Sequence, residues 1–177
     1  MSKKIVFIIP FLVLAISFRS PDKKVAVSGI VMRTGVFCGG MELSPEEAAN
    51  IYGPKPFSTQ ILYVKKGKVN DFKAKPILQF ISGGDGKFSF SLPPGEYCIV
   101  NEYKKNKYNY ELILQQYKEP TKNYTEVNEP CLALWFKTPD LIFTVGTDSV
   151  KNLVVTYSEQ CSWNAIPCVQ FLGSPPP

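Results

Sequence analysis

The chain has 177 residues, 45% of them hydrophobic and 13% aromatic, with a formal charge of +5 and no histidine. That apolar fraction suffices for one domain to bury a core unaided. The missing histidine excludes Ser-His-Asp and Cys-His catalysis, along with His-based zinc and non-haem iron centres.

Taken in order, the chain opens on an export signal. Lys3 and Lys4 precede an apolar run from Ile5 to Phe18, too short for a membrane span, and Ala15-Ile16-Ser17 supplies the small residues of a signal-peptidase site. We therefore expect residues 1–17 to be removed and no membrane span to remain. Pro10, Phe18 and Arg19 fit the site imperfectly, so an uncleaved N-terminal anchor is the alternative. The first cysteine is Cys38, which argues against a lipid anchor. Cleavage takes away two lysines and no acid, lowering the formal charge from +5 to +3, too mild for a nucleic-acid footprint.

Fifteen prolines and twelve glycines punctuate short apolar runs, which favours an all-β domain. A first strand is expected over Lys24–Met32, with Val25, Val27 and Ile30 buried. Ser44-Pro-Glu-Glu47 is a capping box with proline at the first helical position, so a short helix follows to about Tyr52. Gln60–Lys65 and Lys75–Ile81 read as the next strands. The best-defined stretch is Gly83–Val100. Gly83, Gly84, Asp85 and Gly86 supply a turn, and Phe88, Phe90 and Leu92 then alternate with Lys87, Ser89 and Ser91 as in a half-buried strand. Pro93 stops that strand, Pro94 and Gly95 make a second turn, and Tyr97-Cys98-Ile99-Val100 resumes as a strand apolar on both faces, which is expected inside a sheet. We expect these strands to form an organising hairpin and Tyr97 to make a tyrosine corner, its phenol bonding to backbone just upstream. Residues 104–139 have no clear period until a helical turn capped by Asn128 and read as a long loop. Leu141–Val145 and Leu153–Tyr157 close the domain, and residues 159–177 form a tail too poor in apolar residues to fold alone.

The run Asp85-Gly-Lys-Phe-Ser-Phe-Ser-Leu-Pro-Pro-Gly-Glu-Tyr97 resembles the carboxypeptidase regulatory-like domains, with one residue fewer in the turn. The resemblance implies a prealbumin-like Greek-key β-sandwich of about seven strands with short helical insertions, over residues 18–158. More narrowly, Cys38-Gly-Gly, Lys55-Pro56, Lys65-Lys66-Gly67-Lys68, Tyr97-Cys98, Cys131 and the tail Cys161-Ser-Trp…Pro-Cys168-Val-Gln resemble a group of uncharacterised extracytoplasmic proteins of Bacteroidetes-type bacteria. That resemblance implies a periplasmic, cell-surface or secreted location and no particular activity. Other prealbumin-like proteins, the 5-hydroxyisourate hydrolases and intradiol dioxygenases, use histidines that this chain lacks.

Candidate chemistry is sparse. Glu46, Glu47, Glu111, Glu119, Glu126 and Glu129 could in principle supply a carboxylate pair, but their spacing singles out none. The glycines at 83, 84 and 86 lack the Lys-Ser/Thr and following helix of a phosphate loop, and Asn123-Tyr-Thr125 is a formal glycosylation sequon. Five cysteines in an exported chain imply two bridges and one free thiol. Cys161 and Cys168 make the simplest pair, worth roughly 2.5 kcal/mol in loop-closure entropy, with the free residue among Cys38, Cys98 and Cys131. A thiolate site for a soft metal built from the five is the competing reading, and a histidine-free hydrolase or redox enzyme is another. The expectation is a non-catalytic module without a cofactor. Tyr103, Lys104, Lys105, Lys107, Tyr108, Tyr110 and Tyr117, together with Lys118, concentrate rings and cations in the expected loop. They suit an envelope polymer, a carbohydrate or a protein partner, or they cover one face of the sandwich.

Overall fold

The computed structural model describes residues 23–39 and 42–174. The expected signal peptide lies outside the described residues. Eight strands and three helices are present: β1 (Val25–Thr34), α1 (Pro45–Tyr52), β2 (Pro54–Pro56), β3 (Ile61–Lys66), β4 (Leu78–Ile81), β5 (Lys87–Leu92), β6 (Gly95–Asn101), α2 (Lys107–Gln116), α3 (Glu129–Lys137), β7 (Leu141–Val145) and β8 (Val150–Ser158). They build a β-sandwich of two four-stranded sheets with short helical insertions. In one sheet β1 pairs with β2 and β5 on one side and with β8, in parallel, on the other; the second sheet has the order β4-β3-β6-β7.

The stretch Gly83–Val100 forms a double crossover and not the expected hairpin. β4 and β6 lie in one sheet and β5 in the other, so each of its two turns carries the chain across the core. At the first turn Gly83 N–H donates to Lys87 O and Gly86 N–H to Gly83 O. Gly86 takes a φ of 76°, and a Cβ there would sit 2.6 Å from Val31 O; only glycine fits both conditions. At the second turn the Tyr97 hydroxyl donates to Pro93 O at 2.8 Å, the geometry of a tyrosine corner. β6 then runs between β3 and β7, which is why Tyr97, Cys98, Ile99 and Val100 are all buried.

Val27, Val31, Leu62, Val64, Ile99 and Val155 fill the space between the sheets, joined by Phe88, Tyr97 and Phe143. In β1 the inward positions are Val25, Val27 and Val31. Ile30 is only half-buried, because its neighbours at odd positions already point inward and strand side chains alternate. β4 starts at Leu78, later than expected, because Pro76 cannot donate to a ladder. β1 and β8 instead extend past their expected ends, pairing as far as Thr34 with Ser158.

Residues 104–139 are not a long loop. α2 is capped by Asn106, whose side chain accepts from Asn109 N–H, and α3 is capped by Asn128 and runs nine residues. Tyr110, Ile113 and Leu114 from α2, with Tyr117 at its C-cap, meet Leu132 and Phe136 from α3, and Val127 and Val169 complete a second, smaller core. Ile166 and Val169 of the tail thus fold against the helices, which supply the apolar surface that the tail lacks by itself.

Candidate functional site

The expected binding stretch is divided by the fold into three parts. Tyr110 and Tyr117 are consumed by the second core: Tyr110 packs on Phe72 at 5.1 Å and on Phe136 at 5.3 Å, and Tyr117 on Tyr124 at 5.7 Å. Lys104 is buried. Its ammonium group donates to Asp140 Oδ1 at 2.7 Å and Thr138 O at 3.0 Å and lies 4.5 Å from the Trp135 ring centre. The other Asp140 oxygen accepts from Asn101 N–H at 2.7 Å and from the Tyr157 hydroxyl at 2.9 Å. Burial, with the Asp140 charge beside it, keeps the Tyr157 phenol protonated far above its ordinary range. A carboxylate with all these partners holds β6, β8 and the helical insertion together, and nothing about it is open to a ligand.

Tyr103, Lys105, Lys107 and Tyr108 remain at the surface. Tyr103 borders an apolar groove of about 440 Å³ with Leu112, Ile113, Tyr117, Trp135 and Ile166. Lys105, Lys107 and Tyr108 form one wall of a different groove, about 540 Å³ in volume, whose other wall comes from the connection between β3 and β4: Phe72, Lys73, Ala74, Lys75 and Pro76, with Tyr63 and Gln79. Four lysines and three aromatic rings line it, and among the described residues no carboxylate does.

Each wall is fixed from behind. Lys65 is buried, and its ammonium donates to Asp71 O at 2.7 Å; burial lowers its pKa below the ordinary lysine value, against the raising influence of Asp71. Lys73 N–H donates to Asp71 Oδ1 at 2.9 Å, and Ala74 N–H to Asp71 O at 3.0 Å, which shapes the connection as a turn. Asn70 joins the two walls. It is fully buried, its backbone N–H donates to Lys137 O, and its amide nitrogen donates to Lys104 O at 2.8 Å and Phe136 O at 2.7 Å. On the other wall Glu102 accepts from the Tyr63 hydroxyl and from Lys105, whose ammonium lies 5.1 Å from the Tyr63 ring centre. Burial raises the Glu102 carboxyl, but the bonds from Lys105 and Tyr63 outweigh it and hold the group below its ordinary value. The bond to Glu102 raises the Lys105 ammonium in turn, so both groups stay charged.

Lys73 and Lys75 were absent from the expected site. The visible signal was Asp71-Phe-Lys-Ala-Lys-Pro76, two lysines just before a proline, but reading Lys75 as the start of a strand hid it. Likewise Tyr110, Ile113, Leu114 and Tyr117 stand at i, i+3, i+4 and i+7, a helical stripe that marks two of the tyrosines as core.

The cysteines do not pair as expected. Cys38 bonds Cys161, Cys131 bonds Cys168, and Cys98 is the free, buried thiol. The Cys161–Cys168 pairing fails because the two residues belong to different anchors. β1 and β8 run in parallel to Thr34 and Ser158 and deliver Cys38 and Cys161 side by side at one end of the sheet. A short 3₁₀ turn at Ser162–Asn164 then carries the chain to α3, where Cys168 O accepts from Asn128 N–H. Four of the five sulfurs that a soft-metal site would use are thereby committed to two separate bridges, and among the described residues no group of three or more His, Cys, Asp or Glu is placed to hold a metal. No helix among the described residues is long and apolar enough to cross a membrane.

No family model matches the chain, and no curated protein does. Solved structures similar to it include the shaft pilin spaA from Lactobacillus rhamnosus GG, at 12% identity and a TM-score of 0.35 over 77% of this chain and 49% of that one. The N-terminal domain of the same pilin is similar at 10% identity and a TM-score of 0.34, over 76% of this chain and 92% of that one. The Bacillus anthracis TIE protein is similar at 10% identity and a TM-score of 0.29, over 77% of this chain and 17% of that one. The chain thus spans about half of the solved shaft pilin chain and a smaller share of the TIE protein chain.

Proposed function

We propose that this chain is an exported, non-catalytic β-sandwich module of the prealbumin-like, carboxypeptidase regulatory-like type, which binds a component of the cell envelope. One observation carries the reading: the polar chemistry is divided between fold and surface. The buried cations Lys65 and Lys104 and the carboxylate of Asp140 are all bonded to partners within the fold. On the open groove, by contrast, lysines and aromatic rings line the same surface. Two disulfide bridges suit an oxidising extracytoplasmic compartment, and a mature start at or near Phe18 supplies the route there.

The test is to co-sediment the mature protein with isolated cell envelopes. Retention at low salt, with N-terminal sequencing of the exported protein starting at or near Phe18, is the expected result. A parent protein that stays in the supernatant overturns the binding role, and recovery of intact Met1 in a membrane fraction overturns the processing.

A further inference from the structure

We infer that the groove between the β3–β4 connection and the start of α2 binds an anionic polysaccharide, its acid groups held by Lys73 and Lys75 and its sugar faces resting on the neighbouring rings. This deepens the binding reading above and rests on it. Charge complementarity sets the sign of the partner. Of the four lysines on the groove, Lys105 is neutralised by Glu102 and Lys107 by Glu111 one helical turn away. Lys73 and Lys75 have no carboxylate within ion-pair distance among the described residues, and both are exposed. An anion entering the groove therefore meets two uncompensated ammonium groups and no opposing acid.

The rings decide which kind of anion. Tyr108 is 68% exposed, so most of its ring is open to a ligand. Phe72 is anchored by stacking on Tyr110, so the plane it offers to a ligand is held before the ligand arrives, and the buried Tyr63 braces the groove from beneath through its bond to Glu102. Rigid rings give contact area at low entropic cost. A charged sugar chain presents both an acid group and a flat C–H face to such a surface, whereas an acidic peptide or a free phosphate supplies the charge alone. At about 540 Å³ the groove falls in the size range of ligand sites.

The test measures binding of the mature protein to polygalacturonate, polyglutamate and neutral dextran across a salt series. Polygalacturonate is expected to bind most tightly and to weaken as salt rises. Lys73→Gln/Lys75→Gln is expected to lose about tenfold, since exposed pairings are each worth roughly a factor of three, and to show a shallower salt dependence. Tyr108→Ala is expected to lose affinity with the salt slope unchanged, and Lys151→Gln, on the exposed part of β8, to bind like the parent. Equal binding of polyglutamate overturns the sugar assignment, and equal binding of dextran overturns the charge. If the double lysine variant binds normally, this site is wrong even though the parent still sediments with envelopes; if the parent itself fails to sediment, the broader reading has failed first.

Discussion

Removing the Asn70 side chain is the most demanding test of how the groove is built. This amide makes two bonds of 2.8 and 2.7 Å to Lys104 O and Phe136 O from a fully buried position. Each net bond contributes about 1 kcal/mol, and each carbonyl left buried without a donor costs roughly 1–3 kcal/mol. The loss is partly offset because Asn70 Oδ1 has no partner among the described residues, and deleting it removes an existing penalty. The balance for Asn70→Ala is a destabilisation of about 2–4 kcal/mol. With a urea m-value of about 2 kcal/mol/M, the midpoint falls by about 1–2 M. Asn70→Asp should cost more, since it puts a carboxylate against two carbonyl oxygens in a dry site. Urea denaturation followed by tryptophan fluorescence reads the change, because Trp135 lies in the core that Asn70 braces. A loss below about 0.5 kcal/mol in Asn70→Ala would refute the claim that this residue ties the two walls together.

Three further outcomes follow from named contacts. Tyr97→Phe should lose about 1–3 kcal/mol, because Pro93 O is left without its donor; unchanged denaturant stability removes the tyrosine corner. Peptide mapping without reduction should recover Cys38 joined to Cys161 and Cys131 joined to Cys168, and a Cys161–Cys168 peptide contradicts the parallel pairing of β1 with β8. Burial raises the Cys98 thiol above its ordinary pKa despite the opposing effect of Lys65. The folded protein therefore keeps a proton that the unfolded chain releases, so the stabilisation from this group is complete below about pH 8.5 and declines as pH rises further. Iodoacetamide at pH 8.5 should label Cys98 in urea and spare it in buffer, and equal labelling in both would place the thiol at the surface.

What could be read from the sequence was local. The capping box at Ser44, the cap at Asn128, the glycine turn before Lys87 and the phenol of Tyr97 each announce themselves within a few residues, because turn and cap chemistry depends on near neighbours. The parallel pairing of β1 with β8 has no such signal. It joins segments more than a hundred residues apart, and the Cys38–Cys161 bridge, with a sequence separation of 123, follows from it. The groove was half legible for the same reason. Lys105, Lys107 and Tyr108 stood in a visibly rich stretch, while Lys73 and Lys75 are brought to them by the Asn70 amide and the stacking of Phe72 on Tyr110, contacts that no periodicity encodes. Lys104 shows the converse error: composition grouped it with its exposed neighbours, and Asp140, 36 residues on, drew it inside.

The central claim is the location of the binding surface, and the most direct measurement is a backbone amide NMR titration of the mature protein with polygalacturonate oligomers. Shifts confined to Tyr63, Phe72 to Gln79 and Lys105 to Tyr108 are the expected result. Shifts centred on Leu112, Trp135 and Ile166 would move the site to the apolar groove, and an unperturbed spectrum at saturating oligomer would contradict the claim outright.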